Sequence, residues 1–315
     1  MKASTRKILK KHGWRIDLFI HEYIYFVYLL PYINTAMFTT RFVDRYFSWC
    51  KPIVRIVAGF IFNRYHGKVL TPKDSRKIIT LDHDLSLTGD ESKKIIPFSH
   101  ATKIIFENPG LIVAIDCPCK IASNAPCRPL NACMAIGDPV ASFWLEHCQK
   151  YNPKIMTRNE ALEHIGKLRE IGHIQQIFAK KSSRGQNYAI CNCCKVCCTS
   201  LKGTKAAKKA DRNLSQTASS GYSVKIDRNK CKLCCKCVKI CQFEANEIIE
   251  GKIIYNRQEC LGCELCVEHC PNGARILYLD DERQILPLDI DMIERMSNQK
   301  MSETKPEQNQ SLEPL

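Results

Sequence analysis

The most informative part of the sequence is Cys231-Lys-Leu-Cys234-Cys-Lys-Cys237-Val-Lys-Ile-Cys241, which returns 29 residues later as Cys260-Leu-Gly-Cys263-Glu-Leu-Cys266-Val-Glu-His-Cys270. Both copies have the spacing Cys-x-x-Cys-x-x-Cys-x-x-x-Cys. The same offset places Arg228 on Arg257 and Ala245 on Ala274, so the similarity extends beyond the cysteines. These residues therefore form an internal repeat, and each unit carries four thiols in the same arrangement.

The spacing is typical of cubane iron–sulfur ligands. Three thiolates separated by two residues each can wrap one face of a cluster, whereas the fourth lies one helical turn further on and points to a partner cluster. Zinc modules usually pair two Cys-x-x-Cys units and need no third evenly spaced cysteine. A disulfide scaffold is not expected, because the sequence shows no export signal and dense thiols in a reducing compartment usually bind metal.

Residues 222–280 resemble bacterial-type ferredoxins that bind two [4Fe–4S] clusters, and the resemblance implies a βαββαβ fold and one-electron transfer. It also implies one cluster held by Cys231, Cys234, Cys237 and Cys270, and another held by Cys260, Cys263, Cys266 and Cys241. Two positions depart from the family pattern. Gln242 stands where a proline usually follows the first motif, and Cys235 is an additional cysteine, which we interpret as a spare thiol.

A second set of nine cysteines lies upstream: Cys117, Cys119, Cys127, Cys133, Cys191, Cys193, Cys194, Cys197 and Cys198. The stretch 110–116 is typical of a buried strand that ends at Cys117. A capping box at Thr157 predicts a helix, and 173–178 predicts a strand that returns the chain to Cys191, so the two ends of the set can meet. Because Cys193 and Cys194 are adjacent, we expect the set to divide between two sites or to leave some thiols unligated.

We interpret the central cysteines as ligands of one or two further [4Fe–4S] clusters, with zinc or free, redox-exchanging thiols as alternatives. Over residues 50–280 the chain is similar to a little-described group of ferredoxin-like iron–sulfur proteins of anaerobes. Members carry a Cys-x-Cys unit and a Cys-Asn-Cys-Cys unit before a two-cluster tail. This second resemblance implies neither a substrate nor individual ligands.

The chain has 315 residues, 20 cysteines and a net charge of +15, from 47 basic and 32 acidic side chains. Residues 1–80 hold 15 Lys or Arg against 4 Asp or Glu, so most of the charge lies there. Within them, 16–47 mixes apolar and aromatic residues with basic neighbours, as helices at a membrane interface do; packing on the protein's own core is the alternative. The uncharged run 23–40 contains Pro31 and Asn34 and is at the lower limit of length for a membrane span.

The sequence predicts an α+β protein with five parts. These are a basic helical N-terminal region (1–80), a central α/β cysteine-rich domain (81–198), a solvated linker (199–221), the ferredoxin-like domain (222–285) and a largely disordered tail (286–315). Each boundary follows a shift in composition, and the linker is rich in Gly, Ala, Ser, Thr and Lys.

These features predict an iron–sulfur electron carrier or redox subunit from the cytoplasm of an anaerobe, with a redox partner protein and a candidate peripheral membrane contact through the N-terminal region. The alternative is a reductase whose central cluster acts on a substrate and is fed by the ferredoxin tail. No catalytic residue is predicted, and no phosphate-binding glycine loop is present in the sequence. Nucleic-acid binding is not expected, because only the net charge favours it.

Overall fold

The computed structural model describes residues 1–99, 103–184 and 187–303, and these form an α+β fold as predicted. Four helices begin the chain: α1 (Ala3–His12), α2 (Ile16–Val27), α3 (Leu29–Tyr46) and α4 (Lys51–Arg64). Their buried side chains include Ile8, Tyr25, Phe26 and Leu29, which pack into the largest apolar core. A buried pair between His12 and Glu22 joins α1 to α2.

An eight-stranded sheet forms the centre of the molecule, with strand order β2-β3-β4-β7-β6-β1-β8 and with β5 paired to β3. Its strands are β1 (Tyr65–Leu70), β2 (Leu85–Thr88), β3 (Lys103–Ile115), β4 (Cys133–Asp138), β5 (Lys154–Met156), β6 (Ile174–Lys180), β7 (Asn187–Cys193) and β8 (Thr217–Ala218). All paired strands run antiparallel except β1 and β8. Cross-strand pairing therefore brings both ends of the central cysteine set to one part of the sheet.

Six helices connect these strands or follow them: α5 (Pro72–Thr80), α6 (Asp90–Ile95), α7 (Pro118–Ile121), α8 (Val140–His147), α9 (Arg158–Glu170) and α10 (Thr199–Lys208). The predicted capping box opens α9, since the Thr157 hydroxyl accepts from the Glu160 backbone N–H and the Glu160 carboxylate accepts from Thr157. The predicted strands at 110–116 and 173–178 are confirmed as parts of β3 and β6.

The cysteine repeat has the order β9 (Tyr222–Ile226), α11 (Lys236–Ile240), β10 (Asn246–Ile249), β11 (Lys252–Tyr255), α12 (Leu265–Glu268) and β12 (Arg275–Leu279). The first strand pairs with the last, and β10 pairs with β11. The repeat extends to backbone conformation. Left-handed φ values occur at three pairs of equivalent positions: Leu233 and Gly262, Cys235 and Glu264, and Glu244 and Gly273.

The prediction of a solvated linker at 199–221 is wrong. Its first half is α10, which buries Leu201 and Ala207, and its second half contains β8. The segment is rich in small side chains, a composition that is typical of linkers. Here the small side chains allow close packing instead. The buried Lys68 Nζ donates to the carbonyl oxygens of Ser219, at 2.8 Å, and Leu286, at 2.9 Å, which fixes this segment to β1.

The prediction was a largely disordered tail at 286–315, whereas most of its described part, residues 286–303, is helical. Helix α13 (Ile290–Glu303) follows Leu288, and Leu288, Ile290 and Ile293 are buried against the core that contains α5 and β2. Three apolar side chains in a polar stretch are enough for docking, because they pack against an apolar core formed by the rest of the chain. Residues 304–315 lie outside the described part of the chain.

The N-terminal region is not a separate unit, because β1, from within residues 1–80, lies between β6 and β8 in the central sheet. Large apolar side chains of α3 and α4 nevertheless stay exposed, among them Phe38 (67%) and Ile56 (73%). Within the described residues, no single helix has the length and apolar character needed to cross a membrane. Helices α2 and α3 meet the criterion only together and are bent by 91°.

Candidate metal centres

The eight repeat cysteines lie in two groups. Cys231, Cys234, Cys237 and Cys270 line one small cavity together with Arg275. The Arg275 guanidinium donates from Nη2 to Cys237 Sγ at 3.0 Å, and the Ala274 backbone N–H donates to Cys270 Sγ at 3.2 Å. Donors aimed at sulfur stabilise thiolates and favour cluster ligation. Cys234 is exposed, so this group is near the surface.

The other group consists of Cys241, Cys260, Cys263 and Cys266, all of them buried. Backbone N–H groups of Ala245 and Gly262 donate to Cys241 Sγ and Cys260 Sγ at 3.3 and 3.4 Å. Burial, and then the nearby thiols, raise the pKa of Cys263 and raise that of Cys266 to about 12. Such thiols ionise readily only beside a strong positive charge, which the iron of a cluster supplies.

Cys235 lies outside both groups. It occupies a left-handed position at the N-terminus of α11, equivalent to Glu264 in the second unit. Its Sγ bonds the carbonyl oxygen of Leu233 at 3.1 Å. Its role as a spare thiol stays a prediction.

The nine central cysteines divide into two sets, and the adjacent residues Cys193 and Cys194 belong to different sets. The three-thiol site contains Cys127, Cys194 and Cys197. The six-thiol group contains Cys117, Cys119, Cys133, Cys191, Cys193 and Cys198, linked by mutual thiol interactions. All 20 cysteines lie within the described residues and are free of disulfides.

Strand ends and one helix terminus build the six-thiol group. Cys133 and Cys191 are cross-strand partners of β4 and β7, and Cys198 precedes α10. The hydrogen bond to Cys198, and then burial, raise the pKa of Cys193. The same bond lowers the pKa of Cys198 against the effect of burial, helped by backbone N–H groups of α10. Cys198 is therefore the one thiol of the group whose pKa is lowered, whereas the pKa values of the other five are raised.

The sulfur atoms of the three-thiol site lie close together. Cys127 Sγ lies 3.2 Å from both Cys194 Sγ and Cys197 Sγ, and the Cys127 backbone N–H donates to Cys197 Sγ at 3.4 Å. His173 Nε2 lies 3.4 Å from Cys127 Sγ. Burial, and then the Lys120 ammonium, lower the pKa of His173 to about 4, so its imidazole is neutral at physiological pH. The sequence showed no motif for His173, since 46 positions separate it from Cys127.

Comparison with known proteins identifies part of the chain. A sequence model of the family described as 4Fe-4S binding domain matches residues 253–276, which include Cys260, Cys263, Cys266 and Cys270. This part of the chain is a ferredoxin-type segment that binds [4Fe–4S]. The prediction of such a segment is thereby confirmed, and residues 222–280 are called the ferredoxin segment below.

Two curated proteins are similar to a short part of the chain. Over 61 residues, 19% of this chain, it is 34% identical to the indolepyruvate oxidoreductase subunit IorA of Methanothermobacter thermautotrophicus. The same figures hold for the subunit of that name from Methanothermobacter marburgensis. The chain spans only 10% of the length of these relatives. Together with the family match, the similarity indicates an iron–sulfur redox role.

The ferredoxin segment packs into the same core as the six-thiol group, because Leu261, Cys263 and Leu265 belong to the apolar cluster that holds Cys117 and Cys193. A chain of side chains also connects them. Arg169 Nη2 donates to the Cys263 carbonyl oxygen at 2.9 Å, and Arg169 Nη1 bonds Gln175. Gln175 Nε2 in turn donates to Asn192 Oδ1 at 2.8 Å, between Cys191 and Cys193. The two cysteine regions are therefore joined by buried hydrogen bonds.

A second contact involves the residue that replaces the usual proline. Gln242 Oε1 accepts from the Lys195 backbone N–H at 2.8 Å, and Lys195 Nζ lies 3.3 Å from the Cys241 carbonyl oxygen. A proline side chain could not accept this bond. Gln242, which replaces the usual proline, thus binds the ferredoxin segment to the loop that carries Cys194 and Cys197.

A cavity of about 470 Å³ lies over the central cysteines. Helices α3, α4 and α10 form its apolar wall through side chains such as Ile33, Ala58 and Ala207. Its other side contains the six-thiol group and two cysteines of the three-thiol site. The N-terminal helices thus cover the central thiols.

Proposed function

We propose that this protein transfers single electrons between a partner redox enzyme and its own buried centres, using two [4Fe–4S] clusters in the ferredoxin segment and one further cluster at the six-thiol group. The observation that carries this proposal is the shared core and hydrogen-bonded connection between Cys263 and Asn192. When bound, such clusters supply one-electron redox couples at low potential. The chain supplies thiolate ligands, a dry shell and a docking surface.

The ligands proposed for the ferredoxin segment are those of the resemblance. Cys231, Cys234, Cys237 and Cys270 hold one cluster, and Cys260, Cys263, Cys266 and Cys241 hold the other. The sharing of one cavity by the first four, and the backbone N–H groups aimed at Cys241 and Cys270, support this assignment. Because each unit contributes its fourth cysteine to the other's cluster, the two units support each other.

The six-thiol group has more thiols than one cubane needs. Cys117, Cys133, Cys193 and Cys198 are buried, Cys119 and Cys191 are partly exposed, and paired strands position Cys133, Cys191 and Cys193. We therefore assign a cluster to the group as a whole rather than to four named residues. Two thiols would remain as hydrogen-bond donors to sulfur, which raises a reduction potential.

The partner is proposed to be a redox protein with an acidic face. The relatives' name, a subunit of an oxidoreductase, supports a role within an assembly. Lys232 and Lys236 line the same small cavity as the exposed Cys234. All the lysines of the first unit are exposed: Lys225, Lys230, Lys232, Lys236 and Lys239. The equivalent positions of the second unit are Ile254, Glu259, Leu261, Leu265 and Glu268, so the basic patch is specific to the first. Electrostatic steering then directs an acidic partner to Cys234.

We also propose peripheral contact with an anionic membrane through α3 and α4. Phe38, Phe42 and Tyr46 form a row of exposed aromatic rings on α3, with neighbouring centroids 6.0 and 5.1 Å apart. Exposed Arg41 and Arg45 flank this row. Aromatic residues beside basic ones are the composition of interfacial helices.

A reductase is the second candidate, and the cavity favours it. An apolar chamber of about 470 Å³ that reaches the six-thiol group can admit a small hydrophobic molecule. The two functions differ in whether the central iron has a free coordination position. A change in the electron paramagnetic resonance spectrum of the reduced central cluster on adding cyanide would favour the reductase.

Iron and acid-labile sulfide should be measured in full-length protein prepared without oxygen, because the ferredoxin segment shares its core with the rest of the chain. We expect about twelve iron per chain, about four for each cubane. The double variant Cys117→Ser and Cys193→Ser should retain about eight, and Cys50→Ser, outside every thiol group, should be unchanged. About eight iron in both the wild type and the double variant would remove the central cluster from the proposal.

A further inference from the structure

The three-thiol site differs in spacing from the cysteine groups assigned to clusters. Among the described residues, Cys127, Cys194 and Cys197 are the one group of three metal-ligating side chains whose ligand atoms all lie within 4.8 Å of one another. Four thiolates of a cubane each bind a different iron and lie further apart. Thiolates around a single tetrahedral zinc ion, with Zn–S near 2.3 Å, lie about 3.8 Å apart. The spacing therefore fits one ion.

The local backbone fits a zinc knuckle. Cys194-Lys-Val-Cys197 is a Cys-x-x-Cys unit closed by bonds from the Cys197 and Cys198 backbone N–H groups to the Cys194 carbonyl oxygen, at 3.3 and 3.0 Å. The Cys127 backbone N–H donates to Cys197 Sγ at 3.4 Å. Two-residue spacing and an amide aimed at sulfur are features of structural zinc sites.

His173 is the candidate fourth ligand. It is 2% exposed, its Nε2 lies 3.4 Å from Cys127 Sγ, and its Nδ1 lies 3.2 Å from the Leu168 carbonyl oxygen. A proton on Nδ1, donated to that carbonyl, leaves the Nε2 lone pair directed to the sulfurs, which is the arrangement usual for metal-binding histidines. Since the group within 4.8 Å does not include His173, Nε2 must shift toward the other two sulfurs to complete a tetrahedron.

We propose that Cys127, Cys194, Cys197 and His173 bind one structural zinc ion, separate from the iron–sulfur clusters. Three thiolates and Zn²⁺ carry a net charge of −1, and buried Lys120, whose ammonium acts on both Cys127 and His173, balances it. A buried charge needs such a partner.

The zinc ion joins three segments that are distant in sequence. Cys127 lies in the loop after α7, His173 precedes β6, and the Cys194–Cys197 turn follows β7. Lys195, inside that turn, donates hydrogen bonds to Gln242 and to the Cys241 carbonyl oxygen of the ferredoxin segment. The ion therefore fixes the surface on which the ferredoxin segment docks, and its loss should loosen that docking without removing a cluster ligand.

The test is metal analysis of full-length protein produced without oxygen in medium that contains both iron and zinc. We expect about one zinc per chain in the wild type, in addition to the cluster iron. The variant Cys194→Ser should lose at least nine tenths of the zinc and keep its iron. Val196→Ser, an exposed position in the same turn, is the matched control and should keep both metals.

Zinc-edge X-ray absorption of the wild type identifies the ligands without any variant that must fold. Three sulfur ligands and one imidazole nitrogen are expected, and His173→Cys should convert the signal to four sulfurs. Four sulfurs in the wild type would overturn the role of His173. An absence of zinc in the wild type, or a loss of about four iron from Cys194→Ser, would overturn the zinc site, since a cubane would then occupy it.

Discussion

The Oε1 atom of Gln242 accepts a hydrogen bond of 2.8 Å from the backbone N–H of Lys195. Gln242 directly follows a proposed ligand of the ferredoxin segment, and Lys195 lies between two cysteines of the three-thiol site. One side chain thus joins two cysteine regions that are 47 positions apart in sequence. It occupies the place of the proline usual in two-cluster ferredoxins, and the bond gives a physical reason for the replacement.

Replacing Gln242 by proline should restore the usual motif but weaken docking. The Lys195 N–H would lose its acceptor, which costs about 1 kcal/mol. Iron content should stay at the wild-type value, whereas proteolysis between the ferredoxin segment and the sheet should be several-fold faster. Gln242→Glu keeps an acceptor and is the control. Equal cleavage of the two variants would contradict the docking role.

Replacing Arg169 by methionine should separate the ferredoxin segment from the sheet. Arg169 is 5% exposed and donates to two buried oxygens, the Cys263 carbonyl and the Gln175 side-chain amide, so its loss leaves both acceptors unpaired, at about 2–4 kcal/mol. The thermal midpoint should fall, and amide hydrogen exchange at 260–266 should accelerate. Lys167→Met, which removes an exposed ion pair on the same helix, should leave the thermal midpoint and the exchange rates at their wild-type values, because solvent screens that pair. Equal effects would refute this account.

Lys68 should make stability depend on pH. Burial lowers its pKa from 10.5 to about 7, so between these values the unfolded chain binds more protons than the folded one. The free energy of unfolding contributed by this group therefore rises with pH, by about 1.4 kcal/mol per unit at most. When the pH is raised from about 7.5 to about 9.5, the thermal midpoint of Lys68→Met should therefore rise by less than that of the wild type. Parallel curves for the two proteins would contradict the prediction.

The lysine patch around Cys234 should control electron exchange with small charged oxidants. In the double variant Lys232→Glu and Lys236→Glu, oxidation by anionic ferricyanide should slow about tenfold or more at low salt, and oxidation by cationic hexaamminecobalt(III) should accelerate. Both differences should shrink at high salt. Lys167→Glu, on α9, is the control. Changes of the same sign with both oxidants would indicate altered clusters instead of steering.

The aromatic row on α3 should bind anionic vesicles. Phe38→Glu should reduce co-sedimentation with phosphatidylserine-containing vesicles, because a carboxylate replaces an exposed ring beside basic residues. Ile155→Glu, on the exposed part of β5, is the matched control and should bind like the wild type. If the wild type fails to sediment with vesicles at low salt, the proposed membrane contact is wrong.

The ferredoxin-type character of this segment could be predicted from its sequence. Its proposed cluster ligands follow one another at short, fixed spacings, and the 29-residue repeat extends to the left-handed backbone positions. The capping box at Thr157 and the strand before Cys117 could be predicted for the same reason, since both depend on a few neighbouring residues. Features that depend only on neighbouring residues, such as ligand spacing and helix capping, could therefore be predicted from the sequence.

The features that could not be predicted from the sequence depend on contacts between residues that are far apart in the chain. Adjacency of Cys193 and Cys194 indicated a division of the central thiols, but side-chain contacts in the folded chain assign their partners, which are Cys198 for Cys193 and Cys127 for Cys194. His173 carries no motif, and residues 199–208 have the composition of a linker although they fold as a helix against α3. The chain's own spacing therefore establishes its redox chemistry, whereas packing of segments far apart in sequence determines which thiols act together.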